Sequence, residues 1–254
     1  MNNKPPAPAA VARAITTSLR GLANAAKARS NQRFFKTPVA LLGIETAVVR
    51  RLARDWQRRL RPQWTAADAV ELCDLLMREK EHELKAVGVL ILSAFAAELD
   101  LALLPRVEGW LTRHCDNWAL VDALAPALVS PLLARYPAAV RRCASWTKSR
   151  SLWLRRAAIV AFVPHARKGR LLDEAFLVVE RLLSDREDLI HKALGWLLRE
   201  IAKVAPERVA AFLLERRARV PRTTVRYAVE RFSQRERKRL MALTRESVAG
   251  RAPL

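Results

Sequence analysis

The run Leu152-Trp153-Leu154-Arg155-Arg156-Ala157-Ala158-Ile159-Val160 decides the fold, because it returns along the chain at a fixed interval. Arg156-Ala157 heads an apolar stretch, as do Lys192-Ala193 after it and Lys85-Ala86 before it, while Val121 and Ala228 fall in the same register. The five positions succeed one another every 35 or 36 residues, and four of the five are alanine. A small residue at the same point of successive helices lets them approach closely. A period of this length is the mark of helix pairs stacked side by side.

Composition points the same way. Seven glycines in 254 residues, with alanine, leucine and arginine abundant and little β-branched alternation, favour helices. Amphipathic periodicity predicts helices near 8–29, 45–61, 65–79, 81–99, 103–113, 116–135, 137–146, 151–165, 171–184, 187–204, 206–218, 221–232 and 234–246. Thr65, Ser184-Asp185, Pro206 and Pro221 stand where helices start. Short links make antiparallel neighbours. The expected fold class is all-α: a HEAT-like repeat superhelix, an α-solenoid of antiparallel helix pairs with a concave basic face for an extended polyanion. One domain over 10–246 is expected, with tails at 1–9 and 247–254. Its first segment carries Arg13, Arg20, Lys27 and Arg29.

Forty-six Lys and Arg against 25 Asp and Glu give a net charge of +21, which calls for an anionic partner. Ribosomal, nucleic-acid and membrane-surface proteins share such a balance. The most apolar run, Ala86 to Ala97, is shorter than the roughly 18–20 residues of a spanning helix, so no membrane association is expected. The N-terminus lacks an apolar signal core, and a cytoplasmic, nucleoid-associated location follows. Cys73, Cys115 and Cys143 are odd in number and widely spaced, and His114 beside Cys115 has no companion ligand. Neither a metal nor a cofactor is expected.

The cations cluster. Arg50, Arg51, Arg54, Arg58, Arg59 and Arg61 crowd one helix and its end, and Arg216, Arg217, Arg219, Arg222, Arg226 and Arg231 crowd the C-terminal repeats. Such helices supply phosphate contacts through charge alone, with Arg58 and Arg226 as their representatives, although a solvated face would look the same.

Among seven tryptophans, Trp56, Trp110 and Trp146 are expected in the core and Trp64 as a staple before a helix. Trp118, Trp153 and Trp196 are different, since each stands near a helix start in successive repeats with charge close by. Asp122 lies one turn after Trp118, with no Lys or Arg three or four residues away to neutralise it. An unpaired buried carboxylate costs several kcal/mol, so its partner comes from another helix. Arg156, one repeat later, is the natural candidate. A purely structural tie between repeats would need the same two residues.

Four segments resemble the AlkD-type DNA alkylation-repair glycosylases: Asn31-Gln-Arg-Phe-Phe-Lys-Thr-Pro-Val-Ala-Leu-Leu-Gly-Ile44, Asp116-Asn-Trp118-Ala-Leu-Val-Asp122, Leu152-Trp-Leu-Arg-Arg156-Ala-Ala-Ile159 and Lys192-Ala-Leu-Gly-Trp196-Leu-Leu-Arg-Glu200. They span roughly residues 30 to 232 in the family's order. The resemblance implies HEAT-like repeats, a substrate of double-stranded DNA containing alkylated bases, and excision of cationic N3- and N7-alkylated purines such as 3-methyladenine and 7-methylguanine without a tight base-flipping pocket. It carries the catalytic set over as Trp118, Asp122, Arg156 and Trp196, with Asp122 facing the developing sugar cation, the two indoles flanking it and Arg156 anchoring the backbone. Phe34, where the family often has tyrosine, Arg155 and Lys192 join Arg58 and Arg226 as DNA-contacting candidates, and Trp153 becomes a packing residue. A monomer without an obligate protein partner is expected. The alternative is a non-catalytic HEAT-repeat protein that binds nucleic acid by shape and charge.

Overall fold

A computed structural model describes residues 5–245, and among them there are helices and turns but no strand. All of the expected C-terminal tail and the first four residues of the N-terminal one lie outside the described residues. The chain forms two compact units that meet in sequence at Arg135–Tyr136.

The first unit holds α1 (Pro8–Gly21), α2 (Ala25–Asn31), α3 (Thr46–Leu60), α4 (Ala66–Met77), α5 (His82–Ser93), α6 (Leu103–Arg113), α7 (Trp118–Leu124) and α8 (Ser130–Arg135). Helix α5 is its centre, packed by α1, α3, α4 and α7. Its apolar run Leu84, Val87, Val89, Ile91 and Leu92 is fully buried, which is why that stretch is apolar on every side. The basic N-terminal segment is docked on its own unit: Val11, Ile15 and Leu19 of α1 are buried, and Arg20 pairs with Glu79 and Glu81. One predicted helix, 8–29, is broken at Gly21–Asn24, because Asn24 turns its side chain to cap α2 through the amide of Lys27. Trp64 is buried before α4, whose first turn is closed by the reciprocal Thr65–Asp68 capping box. Trp56, expected in the core, is half-exposed with the Arg59 guanidinium 5.6 Å over its ring.

The predicted helix 116–135 is continuous but irregular. A π-helical turn at Ala125–Val129 joins α7 to α8. Pro126 has no amide hydrogen for the carbonyl of Asp122, nor Pro131 for that of Ala127, so the regular ladder cannot pass through. Trp118–Arg135 is also, with 18 residues at mean hydropathy 1.3, long and apolar enough to cross a membrane. The expectation that Ala86 to Ala97 was the most apolar run is thereby corrected. Half of this helix is buried inside the protein.

The second unit holds α9 (Pro137–Ser145), α10 (Leu152–Val160), α11 (Val163–Ala166), α12 (Leu172–Leu182), α13 (Asp188–Ile201), α14 (Pro206–Glu215), α15 (Arg222–Ala228) and α16 (Gln234–Leu243). Helices α10, α13 and α15 pack in succession, α12 backs α9, α10 and α13, and α14 backs α13 and α16. The repeat register is visible here: Ala157, Ala193 and Ala228 are all fully buried. Close approach is sharpest at Gly195, where a Cβ would stand 2.5 Å from that of Tyr227 and 2.8 Å from the carbonyl oxygen of Thr224. Ion pairs span the same interval, Arg208 with Asp173 and Arg216 with Glu180, and Arg219 joins the second pair from further along the chain.

Candidate active site

Helix α7 carries Trp118 in its first position and Asp122 one turn later. Its start is fixed by Asn117, 1% exposed, whose side-chain oxygen accepts the Leu120 amide at 3.0 Å while its amide group donates to Asp116 at 2.8 Å. The indole N–H of Trp118 donates to the main-chain carbonyl of Phe34 at 3.2 Å. Phe35 lies against the same indole, ring centroids 5.8 Å apart, and against His82 at 6.5 Å. Two aromatics of the Asn31–Ile44 segment thus meet the tryptophan 84 residues away, one through its backbone and one through its ring.

That segment is an irregular strap. Gly43 turns it at φ 75°, where an added Cβ would overlap the carbonyl oxygen of Asn24 and the amide of Ala28. Beyond it the amides of Leu42, Gly43 and Ile44 all point at one carboxylate, that of Glu83 on the first turn of α5, at 2.9, 2.9 and 3.3 Å. Glu83 is 5% exposed, and these donors are what makes a charge tolerable there. Gln32 closes the strap by donating to the carbonyl of Thr37 and accepting from the amide of Val39. The amide of His82 donates to Ala40, so α5 grips the strap at two successive residues.

Between strap, α3, α5 and α7 lies a cavity of about 450 Å³. Phe34, Phe35, Leu41, Ile44, Val49, Ala86, Leu90 and Trp118 make most of its wall apolar, and Asp122, His82, Glu83 and Arg50 reach it as charged or titratable groups. Three sequence-predicted residues, Phe34, Trp118 and Asp122, therefore share one cavity. Asp122 and Trp118 are half-buried, and Phe34 is 58% exposed with the Arg33 guanidinium 5.0 Å over its ring. Burial lowers the pKa of His82, and its Nδ1 is enclosed without a hydrogen-bond partner, so the ring stands neutral at pH 7.

The other expected residues lie in the second unit. Arg156 is 5% exposed, and its guanidinium donates to the carbonyl of Leu189 at the start of α13. Arg155 is locked by Asp185 at 2.6 Å and by the carbonyls of Ser149 and Arg150, each at 3.0 Å. This is a tie between successive repeats. Lys192 pairs with Asp188 at 2.9 Å, and Trp196 and Trp153 are half-exposed. Arg226 is exposed, 5.9 Å over Tyr227; Arg58, on α3 in the first unit, is exposed and paired with Asp55.

The cysteines behave as packing residues: burial raises the thiol pKa of Cys73 and Cys143 and pushes Cys115 to about 12. No group of three His, Cys, Asp or Glu able to hold a metal occurs among the described residues.

Glu83, His82 and Phe35 were not singled out from sequence. The only available signal for Glu83 was indirect: Val39 to Ile44 is an apolar loop without a capping side chain of its own, and its amides needed an acceptor from elsewhere.

The architecture is that of the all-helical DNA alkylation-repair proteins. The chain is similar in fold to a solved structure described as a predicted DNA alkylation repair enzyme from Enterococcus faecalis, with a TM-score of 0.74 and 16% identity over 84% of this chain and 97% of that one. Residues 15–232 match the family of DNA alkylation repair enzymes, and the chain belongs to that family. No curated protein matches it.

Proposed function

We propose that this protein is a monofunctional DNA glycosylase that releases cationic N3- and N7-alkylated purines from duplex DNA. The observation that carries the reading is Asp122, a half-buried carboxylate on an aromatic-walled cavity of a protein with net charge +21. A carboxylate facing DNA phosphates opposes binding, so its place at a cavity wall is explained by chemistry that needs a negative charge.

An alkylated purine carries positive charge and leaves readily. As the bond from C1′ to the purine nitrogen breaks, its electron pair stays with the base, which departs neutral, and positive charge develops on the deoxyribose. Asp122 stabilises that charge and orients the water that adds to C1′ and gives up its proton. The face of Trp118 favours the same cationic character. None of the side chains lining the cavity is a lysine, in keeping with hydrolysis rather than Schiff-base strand cleavage. In the second unit we assign Trp196 a DNA-facing aromatic surface. Arg156, buried and bonded to Leu189, steadies the start of α13 that carries Trp196.

Release of 7-methylguanine from methylated duplex DNA, comparing the native protein with Asp122→Asn, tests this directly. Release that falls by about 100-fold or more in the variant is expected, from the size of electrostatic contributions to such steps. No release by the native protein leaves the non-catalytic DNA-binding alternative standing; release unchanged by Asp122→Asn moves the chemistry elsewhere.

A further inference from the structure

The arginines of α3 divide into tied and untied ones. Arg58 is paired with Asp55, Arg59 lies over Trp56, and Arg61 just beyond the helix is paired with Glu98. Among the described residues Arg50, Arg51 and Arg54 are exposed, and their side chains make no hydrogen bond, ion pair or ring contact. Arg50 alone of the three lines the cavity that holds Asp122 and Trp118. Arg54 stands one turn further along the same face, about 6 Å on, while Arg51 is turned aside. The opposite face of α3 is buried through Val49, Ala53 and Leu60, so the helix cannot turn these cations away.

Holding an exposed guanidinium beside like charges without an ion-pair partner costs electrostatic energy that an incoming anion recovers. The cations suggested from sequence at the second unit's helix starts are already engaged, Arg155 by Asp185 and Lys192 by Asp188, and Arg156 is buried. The untied guanidinium on the cavity that also carries Asp122 is Arg50.

We propose that Arg50, followed by Arg54, is the phosphate anchor of this cavity: it grips the backbone phosphate next to the damaged nucleotide and so sets the deoxyribose against Asp122 and Trp118. This rests on the glycosylase reading. A guanidinium is suited to the task because its fork binds two phosphate oxygens at once, fixing orientation as well as attracting charge. Arg54 takes a neighbouring phosphate of the same strand. Arg51, off that face, adds only to the general field.

The test compares Arg50→Ala, Arg50→Lys and Arg51→Ala with the native protein. Duplex binding is measured by anisotropy at several salt concentrations, on undamaged DNA and on DNA bearing a tetrahydrofuran abasic analogue, and 7-methylguanine release is measured in single turnovers at saturating protein. Arg50→Ala is expected to reduce the slope of log K against log salt by about 0.9, to lose its preference for the abasic analogue, and to slow the saturated rate about tenfold or more. Arg50→Lys restores the salt slope but not the rate. Arg51→Ala weakens binding and leaves the saturated rate intact. Arg50→Ala behaving like Arg51→Ala in both preference and rate overturns the proposal. A native protein that releases no base defeats the glycosylase reading, and the binding preference then decides for or against the anchor by itself. Unchanged thermal unfolding, expected for an exposed, untied side chain, shows that each variant is folded.

Discussion

The indole of Trp118 hangs from the main-chain carbonyl of Phe34, 84 residues earlier, so the polar edge of the residue proposed to face the sugar is held by backbone while the Phe35 ring packs against its face. The strap that supplies the carbonyl is held in turn by Glu83, which makes three polar contacts on α5 the support of one aromatic ring on α7.

From the Trp118–Phe34 bond it follows that, for folding, the identity of side chain 34 is free to vary while its carbonyl is not. Phe34→Tyr is expected to leave unfolding unchanged within about 0.5 kcal/mol, the usual span for surface changes. Phe34→Ala should fold equally well yet slow 7-methylguanine release, because an aromatic wall of the cavity is lost. Equal excision rates in Phe34→Ala and the native protein would remove this side chain from the site.

Glu83→Gln tests the support itself. The amide keeps one acceptor oxygen but turns an N–H₂ group toward main-chain N–H groups, leaving at least one buried donor unsatisfied at a cost of about 1–3 kcal/mol. Urea unfolding measures the loss. Tryptophan emission in the folded baseline should also change, since the strap no longer holds Trp118; a stability loss with an unaltered native spectrum would mean that the indole is positioned independently of Glu83.

Gly43→Ala should be severe for a different reason. The φ of 75° costs an alanine about 1 kcal/mol, and the added Cβ overlaps two backbone atoms that cannot swing aside. A combined loss above about 3 kcal/mol is expected by urea titration. Because Gly43 and Glu83 act on the same few amides, the double variant Gly43→Ala, Glu83→Gln should lose less than the two single losses added together.

How much of this was legible in the sequence depends on range. Positions 157, 193 and 228 are small because helices close on one another there, and the same constraint, repeated, makes a periodic signal that a reader can find without coordinates. Trp118 and Asp122 were legible as a pair one turn apart on one helix. The strap was not, because its order rests on contacts between Leu42 and Glu83, or Phe34 and Trp118, whose separation in sequence has no period. Sequence separates Arg50 from Arg58 only in part: Asp55 stands three residues before Arg58 and no carboxylate stands so near Arg50, but only the cavity wall tells which untied arginine reaches the site.

Arg156→Ala bears on whether that arginine serves folding or chemistry. Its guanidinium is 5% exposed and bonded to Leu189, so truncation leaves a buried carbonyl unsatisfied and a cavity behind; a loss of about 2–4 kcal/mol is expected in urea. Binding of undamaged duplex at a temperature where the variant is folded should be nearly unchanged. A large fall in affinity with native stability would instead place the guanidinium on phosphate.

Acid should unfold the protein in two stages. The pKa of His82 is lowered by burial beneath the usual 6.5, with Glu83 and Asp116 opposing that shift and Lys85 adding to it. A folded-state pKa below the unfolded one means that the unfolded chain binds the extra proton first. The stabilising contribution is whole above pH 6.5 and is lost as pH falls from there through the folded value. The second stage belongs to carboxylates. Glu81 is held down by its hydrogen bonds from Arg20; at Glu200 burial pushes upward, but the bonds from Lys203 and Arg167 outweigh it. Their contributions are complete above the ordinary carboxylate range near pH 4 and disappear below it. A plot of unfolding free energy against pH should therefore slope gently downward below pH 6.5 and steeply below about pH 4. In His82→Phe the first slope should shrink, with what remains coming from His114, whose pKa burial also lowers, while the steep limb stays where it was. An upper limb identical in the native protein and His82→Phe would show that His82 takes its proton as easily folded as unfolded.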